Sequence, residues 1–244
     1  MSKRLKFFLN HLSISFLIAV LVVGIVFFIW YPSPLAKAAG VTHIFLMLII
    51  IDVIVGPILG FLVYKEGKKT LKFDLTIIIL LQISALSYGI YSIAQGRPAW
   101  LVFYADHIEL VRKNELILDR ADQVHDQYKE VSWFKPQYVA IKPSKDIAQH
   151  NKDMFIEVIG GISPAQLPER YMPLSQANEK IKQKVQDLEL LNQYNDKALV
   201  EKTLANYPYA NAYLPLKASM VDMVVLLNKE TAEIIQIVDL RPWK

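Results

Sequence analysis

At 244 residues, with 53% hydrophobic residues and a mean hydropathy of +0.27, the chain holds more apolar side chain than a water-soluble domain of its length needs. It has no cysteine, which excludes disulfides, zinc-thiolate and iron-sulfur sites and thiol catalysis. The formal charge of +4 divides into +5 before Arg97, from eight Lys and Arg against three acids, and −1 beyond it, from 19 against 20. A C-terminal part so nearly neutral offers no basic footprint and excludes nucleic acid as a partner.

Three apolar runs predict helices over about 7–30, 41–64 and 75–94. Each has about 20 residues or more, enough to cross a hydrocarbon core of about 30 Å. Connections of about ten residues make them antiparallel neighbours. A membrane domain of 1–96 and a second domain of 97–244 follow. Lys3, Arg4 and Lys6 precede the first run and Lys65, Lys68, Lys69 and Lys72 separate the second from the third, whereas the intervening loop has only Lys37. Retention of positive charge in the cytoplasm then puts the N-terminus inside and everything after Ala94 outside, in the periplasm of a bacterial inner-membrane protein. Trp30 and Tyr31 read as an interfacial aromatic pair. Ala36-Lys37-Ala38 also resembles a signal-peptidase site, but the first apolar run is too long for a signal sequence, so retention of the first helix is preferred.

Polar residues inside the runs are the most informative, because a charge at mid-bilayer costs about 2.5–3.5 kcal/mol on insertion scales. Asp52 lies halfway along the second run, one turn before Gly56-Pro57, a pair that removes a backbone hydrogen bond and permits close helix approach. It reads either as a polar docking or proton-linked site, or as a structural group satisfied by Ser13, Ser15, Gln82 or Ser84. His11 and His43 fall near opposite membrane faces and so share no metal, and Asp74 reads as the N-cap of the third helix.

Beyond Arg97-Pro98, alternation around Trp100–Tyr104 and Ile108–Leu110 predicts a strand, turn and strand. Further strands are expected within 131–141 and 154–159. Ser175 is expected to cap one amphipathic helix with a stripe of Ile181, Val185, Leu188 and Leu191, interrupted at Asn195-Asp196 before a short helix to Leu204. Residues 220–227 and 233–240 flank Asn228–Ala232 as a closing hairpin, and Tyr171–Leu174 and Tyr213–Leu216 read as extended loops. The fold class is a membrane protein with three transmembrane helices followed by an α+β extracytoplasmic domain.

Nothing in this pattern announces catalysis. His107, His125 and His150 have no metal-ligand spacing and read as surface residues, Glu109 with Asp119 or Asp122 forms only a notional acid pair, and Gly160-Gly161 lacks the residues of a phosphate loop. The expectation is a non-enzyme with no cofactor and no metal.

The pieces Trp30-Tyr31-Pro32-x-Pro34, Asp52-Val53-x-x-Gly56-Pro57, Asp74-Leu75, Gln82, Ala85-Leu86 and Tyr88-Gly89 occur in order. They are followed by Arg97-Pro98, Val102-Phe103-x-x-Asp106, Leu214-Pro215-Leu216 and Asp239-x-x-Pro242-Trp243. Together they resemble the TfpX/TfpZ type IV pilin accessory proteins, most strongly through the first 110 residues. The resemblance implies an inner-membrane, chaperone-like factor for assembly or stability of a cognate major pilin, with other pilus assembly proteins and membrane lipid as further partners. Asp52, Gly56, Pro57, Gln82 and Tyr88 are the candidate partner-binding residues. The competing expectation is a membrane-anchored extracytoplasmic sensor or ligand-binding module.

Overall fold

The computed structural model describes residues 1–144 and 146–243, with the side chains at 150 and 152 outside the description, so the reading of His150 lies outside the described residues. The chain divides into two compact units, Met1–Ala36 with Gly40–Gly96 and Lys37–Ala39 with Arg97–Lys244.

The first unit is helical. α1 (Lys3–Gly24) starts at Ser2, whose hydroxyl accepts from the Leu5 amide at 3.3 Å, and continues in π geometry over Ile25–Trp30. A single turn, α2 (Leu35–Ala38), leads to α3 (Val41–Val63) and α4 (Leu71–Gln95). The three long helices, counted as 3–30, 41–63 and 71–95, are long and apolar enough to cross a membrane. Their outward surfaces are covered with Leu, Ile and Phe side chains that water would not tolerate. Two local expectations change. Because α4 begins at Leu71, Asp74 lies inside its first turn rather than at the cap, where its carboxylate accepts from the Thr70 hydroxyl at 3.0 Å and pairs with Lys68 at 2.7 Å. A negative charge there still complements the helix dipole. Trp30 and Tyr31 are both buried among protein side chains instead of facing outward, and the Tyr31 hydroxyl donates to the Ile93 carbonyl at 2.8 Å.

The second unit is built on a seven-stranded mixed sheet of order β4-β3-β1-β2-β5-β6-β7. β1 (Pro98–Tyr104) and β2 (His107–Arg112) form the expected hairpin, turning through Ala105 at φ 54°. The short α5 (Asp126–Lys129) precedes β3 (Gln137–Ile141), which runs parallel to β1 and starts only after Pro136, so the strand expected over 131–141 occupies its last part. Then come α6 (Ile147–Gly160), β4 (Tyr171–Pro173), α7 (Asn178–Lys184) and α8 (Lys197–Leu204). β5 (Ala212–Lys217) is followed by the closing hairpin of β6 (Met223–Asn228) and β7 (Glu233–Val238). Lys37–Ala39 belongs to this unit through main-chain bonds from Met220 and Val221 to the Ala38 carbonyl at 3.0 and 3.2 Å, beside a Lys37–Asp239 ion pair at 2.5 Å.

Among the described residues, two apolar clusters hold it. In one, Trp100, Tyr128 and Tyr171 meet edge to face at centroid distances of 5.5–5.8 Å among Val102, Val139 and Ala165. In the other, Leu191 and Val200 pack on Tyr213, Leu226 and Leu240.

Three expectations are corrected here. Residues 154–159 are helical, because Asp146 caps α6 by accepting from Gln149 at 2.7 Å and Gly161, at φ 65°, ends it. The long amphipathic helix expected after Ser175 is broken. α7 stops at Lys184 because Gln186 exchanges two main-chain bonds with Tyr213, at 2.8 and 3.0 Å, and a 3-10 segment, Leu188–Gln193, takes over. Tyr171–Leu174 and Tyr213–Leu216 are strand-bearing rather than loops. Pro173 tolerates this on the edge strand β4, and Pro215 sits where β5 pairs with β6, just before its short parallel contact with β2 at Leu216 and Lys217.

Candidate functional site: a polar node among the apolar helices

In a segment of hydrocarbon character a side-chain amide must find partners within the protein. Gln82 of α4 finds three. Its Nε2 donates to the Ser15 hydroxyl of α1 at 3.0 Å and to the main-chain carbonyl of Asp52 in α3 at 2.9 Å, while its Oε1 lies 2.9 Å from His11 Nε2. One side chain thus bridges all three long helices. The Asp52 carboxyl is half-buried beside Gln82 and His11.

Gly56 makes this node sterically feasible. It is buried, and a Cβ built there would overlap the Gln82 amide, so a larger residue would push that side chain out of its bonds. Pro57 is buried beside it inside α3. Asp52, Gly56 and Gln82 are therefore brought together, whereas Tyr88 lies elsewhere on α4, 73% exposed and one turn from the exposed Tyr91. The sequence reading missed His11 and Ser15 as members of one network with Gln82. Ser15, a candidate partner of Asp52 by sequence, bonds Gln82, because helix rotation decides which polar groups meet and three apolar runs do not reveal it. Along α1 and α3 an apolar groove of about 480 Å³ opens between Phe16, Gly24, Phe28, Ile50 and Ile54.

The second unit has its own polar cluster, which the sequence reading took for lone surface groups. Glu109, buried on β2, accepts from the Ser163 hydroxyl at 2.9 Å, lies 3.1 Å from His107 Nε2 and has Lys217 Nζ at 3.6 Å. His107 Nδ1 is 3.0 Å from Asp106. Burial works against the charged imidazolium, but the two flanking carboxylates outweigh it and raise the His107 pKa above the ordinary imidazole range. Burial likewise opposes ionisation of Glu109, and the His107 bond, the Lys217 charge and the Ser163 hydroxyl outweigh it, lowering the pKa. Each residue contributes to the other's shift. The available signal was the i, i+2 spacing of His107 and Glu109 on a strand, which puts both on one face. Chemically the arrangement is a locked ion pair. Ser163 donates to the carboxylate instead of to an imidazole, so it lacks the nucleophile-base order of a hydrolytic triad.

A cleft of about 510 Å³ between β1, β3, β4 and α6 is walled by Phe103, Tyr104, Ile141 and Met172, with the Arg170–Asp153 ion pair at 2.8 Å and Ser144 bonded to Asp153 at 2.9 Å. Among the described residues no group of three or more His, Asp or Glu could hold a metal ion.

Residues 1–40 match the family model described as "Fimbrial assembly protein FimB". The chain is 31% identical over 229 residues to the fimbrial assembly protein of serogroup E1 from Dichelobacter nodosus, covering 90% of this chain and 88% of the relative. The serogroup I protein of the same organism matches to the same extent. That of serogroups C1 and C2 is 36% identical over 115 residues, 46% of this chain and 88% of the relative. No solved structure matches the chain.

Proposed function

The chain belongs to the FimB family of fimbrial assembly proteins, and from that premise we propose that it is a non-catalytic accessory factor that assists a type IV fimbrial subunit before or during assembly. The observation that carries this reading is similarity to fimbrial assembly proteins across 90% of the chain, membrane helices and folded unit alike. A factor of this kind sits in the bacterial inner membrane with its N-terminus in the cytoplasm and residues 97–244 in the periplasm. The lysines and arginine at positions 3, 4, 6, 65, 68, 69 and 72 support that orientation. So does the grouping of Lys37–Ala39 with the C-terminal unit, since the loop between the first two spans and the domain after the third then share one side.

A fimbrial subunit awaiting assembly offers an apolar helix in the bilayer and a globular head outside it, and this protein has a partner surface for each. The proposed contact set in the membrane is Asp52, Gly56, Pro57, Gln82 and Tyr88. Gly56, Pro57 and Gln82 set the packing that presents Asp52, and Tyr88 touches the partner directly. Major pilin is the proposed cargo, with other assembly proteins and lipid as neighbours. The Ser163-to-Glu109 bond supports the non-enzymatic part of the reading.

The test is a mild-detergent pull-down of the tagged protein from its native cells with mass spectrometry, alongside a count of surface pili in a deletion strain. Recovery of a fimbrial subunit with loss of pili is expected, and Asp52→Leu should weaken recovery while membrane insertion stays intact. Normal piliation with no subunit recovered overturns the proposal and moves the function to an anchored ligand-binding module, for which the cleft beside Arg170 is the place to look.

A further inference from the structure

Within the second unit, the segment 131–136 presents the adjacent Trp133 and Phe134 to solvent, 64% and 69% exposed. An indole and a phenyl ring exposed side by side offer an apolar surface to another body. The pair is also held in place. Arg97, itself buried, donates from Nε and a terminal nitrogen to the Ser132 carbonyl at 3.3 and 3.0 Å and lies 4.9 Å from the centroid of the Trp133 ring. The Ser132 hydroxyl accepts from the Phe134 amide at 3.1 Å, and the Arg97 carbonyl accepts from the Lys113 amide at 2.9 Å.

Arg97 fixes where this loop lies along the chain's path. It is two residues beyond Gln95, the last residue of α4, and two peptide links reach no more than about 7 Å. The chain path from the end of α4 to the Trp133 ring is therefore two peptide links, one arginine side chain and the 4.9 Å to the ring centroid. Indole and phenyl rings favour the membrane–water interface. Lys113 Nζ is 6.0 Å from the Trp133 ring and Lys135 is exposed beside Phe134, so ammonium groups flank the aromatic pair, with Glu130 the nearby exposed acid in sequence. Long basic side chains around an aromatic wedge suit an anionic phospholipid headgroup.

We propose that Trp133 and Phe134 form a membrane-interface anchor, inserted at headgroup depth, with Lys113 and Lys135 directed at anionic lipid phosphates. The occupant is the bilayer, and the inference does not depend on the fimbrial reading. Such an anchor restrains the second unit at the membrane surface in addition to its chain links through Gly96 and through Lys37–Ala39.

The chain's lack of cysteine allows a direct test. The full chain carrying Phe134→Cys, labelled with an environment-sensitive nitrobenzoxadiazole probe, is reconstituted in phosphatidylcholine vesicles with and without phosphatidylglycerol. Nitroxide-labelled lipid is the quencher, and Lys229→Cys at the exposed turn of the β6–β7 hairpin is the reference. Blue-shifted emission at position 134, quenched at least twofold more than at 229 and more strongly with phosphatidylglycerol, is the expected result. Emission and quenching equal to those at 229 overturn the anchor. A blue shift without lipid quenching overturns it in favour of a protein occupant, and quenching indifferent to phosphatidylglycerol overturns the role given to the lysines.

Discussion

The Gln82 amide occupies the space that a Cβ on Gly56 would need, so the bonds joining the three long helices depend on a missing side chain in the second of them. In a bilayer each interhelical hydrogen bond contributes about 0.6 kcal/mol, up to about 1.7, and Gln82 makes three such contacts.

Gly56→Ala should therefore lower the thermal midpoint of the full chain in mild detergent more than Gln82→Ala does, because overpacking by even one methyl costs about 1–3 kcal/mol and also displaces the network. The double variant should be more stable than Gly56→Ala alone, since shortening Gln82 makes room. Additive losses in a double-mutant cycle would show that the two positions do not compete for one space.

His107 gives the second unit a defined pH response. Its folded pKa is raised above 6.5, so its contribution is complete below 6.5 and is lost as pH rises through the folded value. The Glu109 pKa is lowered below 4.5, so its contribution is complete above 4.5 and is lost as pH falls through the folded value. Both contributions are complete between these two pH values. The stability gap between wild type and His107→Gln, measured by urea denaturation of the full chain in detergent, should be widest there and narrow in both directions. A gap independent of pH would contradict the charged pair.

Asn195 joins the 3-10 segment to the C-terminal strand end, donating to the Leu191 and Arg241 carbonyls at 2.8 and 2.9 Å and accepting from the Arg241 amide at 2.7 Å. Arg241 in turn bonds the Asp222 carbonyl and the Asp239 carboxylate, and the Trp243 indole donates to Asp222 at 2.7 Å. Asn195→Ala removes a partner from the Arg241 amide and carbonyl, while the Leu191 carbonyl keeps its main-chain donors, and should cost about 1–3 kcal/mol. Limited proteolysis should then remove the last residues faster than in wild type, and unchanged protection would count against Asn195 as the tie.

In the aromatic cluster packing outweighs hydrogen bonding. Tyr171→Phe removes the bond to the Ala165 carbonyl, which spans 2.5 Å, at a cost of about 1–3 kcal/mol for the unmet acceptor. Trp100→Ala empties the space between Tyr128 and Tyr171 and should cost about 3–5 kcal/mol. The order of the two urea midpoints checks the argument; a greater loss in Tyr171→Phe would reverse it.

The large divisions of this molecule are legible from composition alone. Three apolar runs and the break at Arg97-Pro98 set the helices and the start of the sheet, because bilayer length and backbone hydrogen bonding leave little choice once about 20 apolar residues are consecutive. The β1–β2 and β6–β7 hairpins were readable because two-residue alternation and adjacent turn residues are local signals. Met154–Ile159 was misread as a strand because a short apolar run has no period of its own, and the deciding groups, Asp146 and Gly161, lie outside it.

Partnership between distant residues was decided only by tertiary structure. The stripe through Ile181 and Leu188 fits one helix, and it is broken by Tyr213, which takes the Gln186 main chain from 27 residues away. Tyr213–Leu216 enters the sheet although proline argues for a loop, because β6 supplies its ladder. Likewise Asp52, Gly56 and Gln82 were singled out by residue type and resemblance, but the rotation of three uniformly apolar helices determines which polar groups meet. Hydrophobic length is encoded in consecutive residues and can be read without a fold; helix rotation and strand register are settled by packing between segments far apart in the chain.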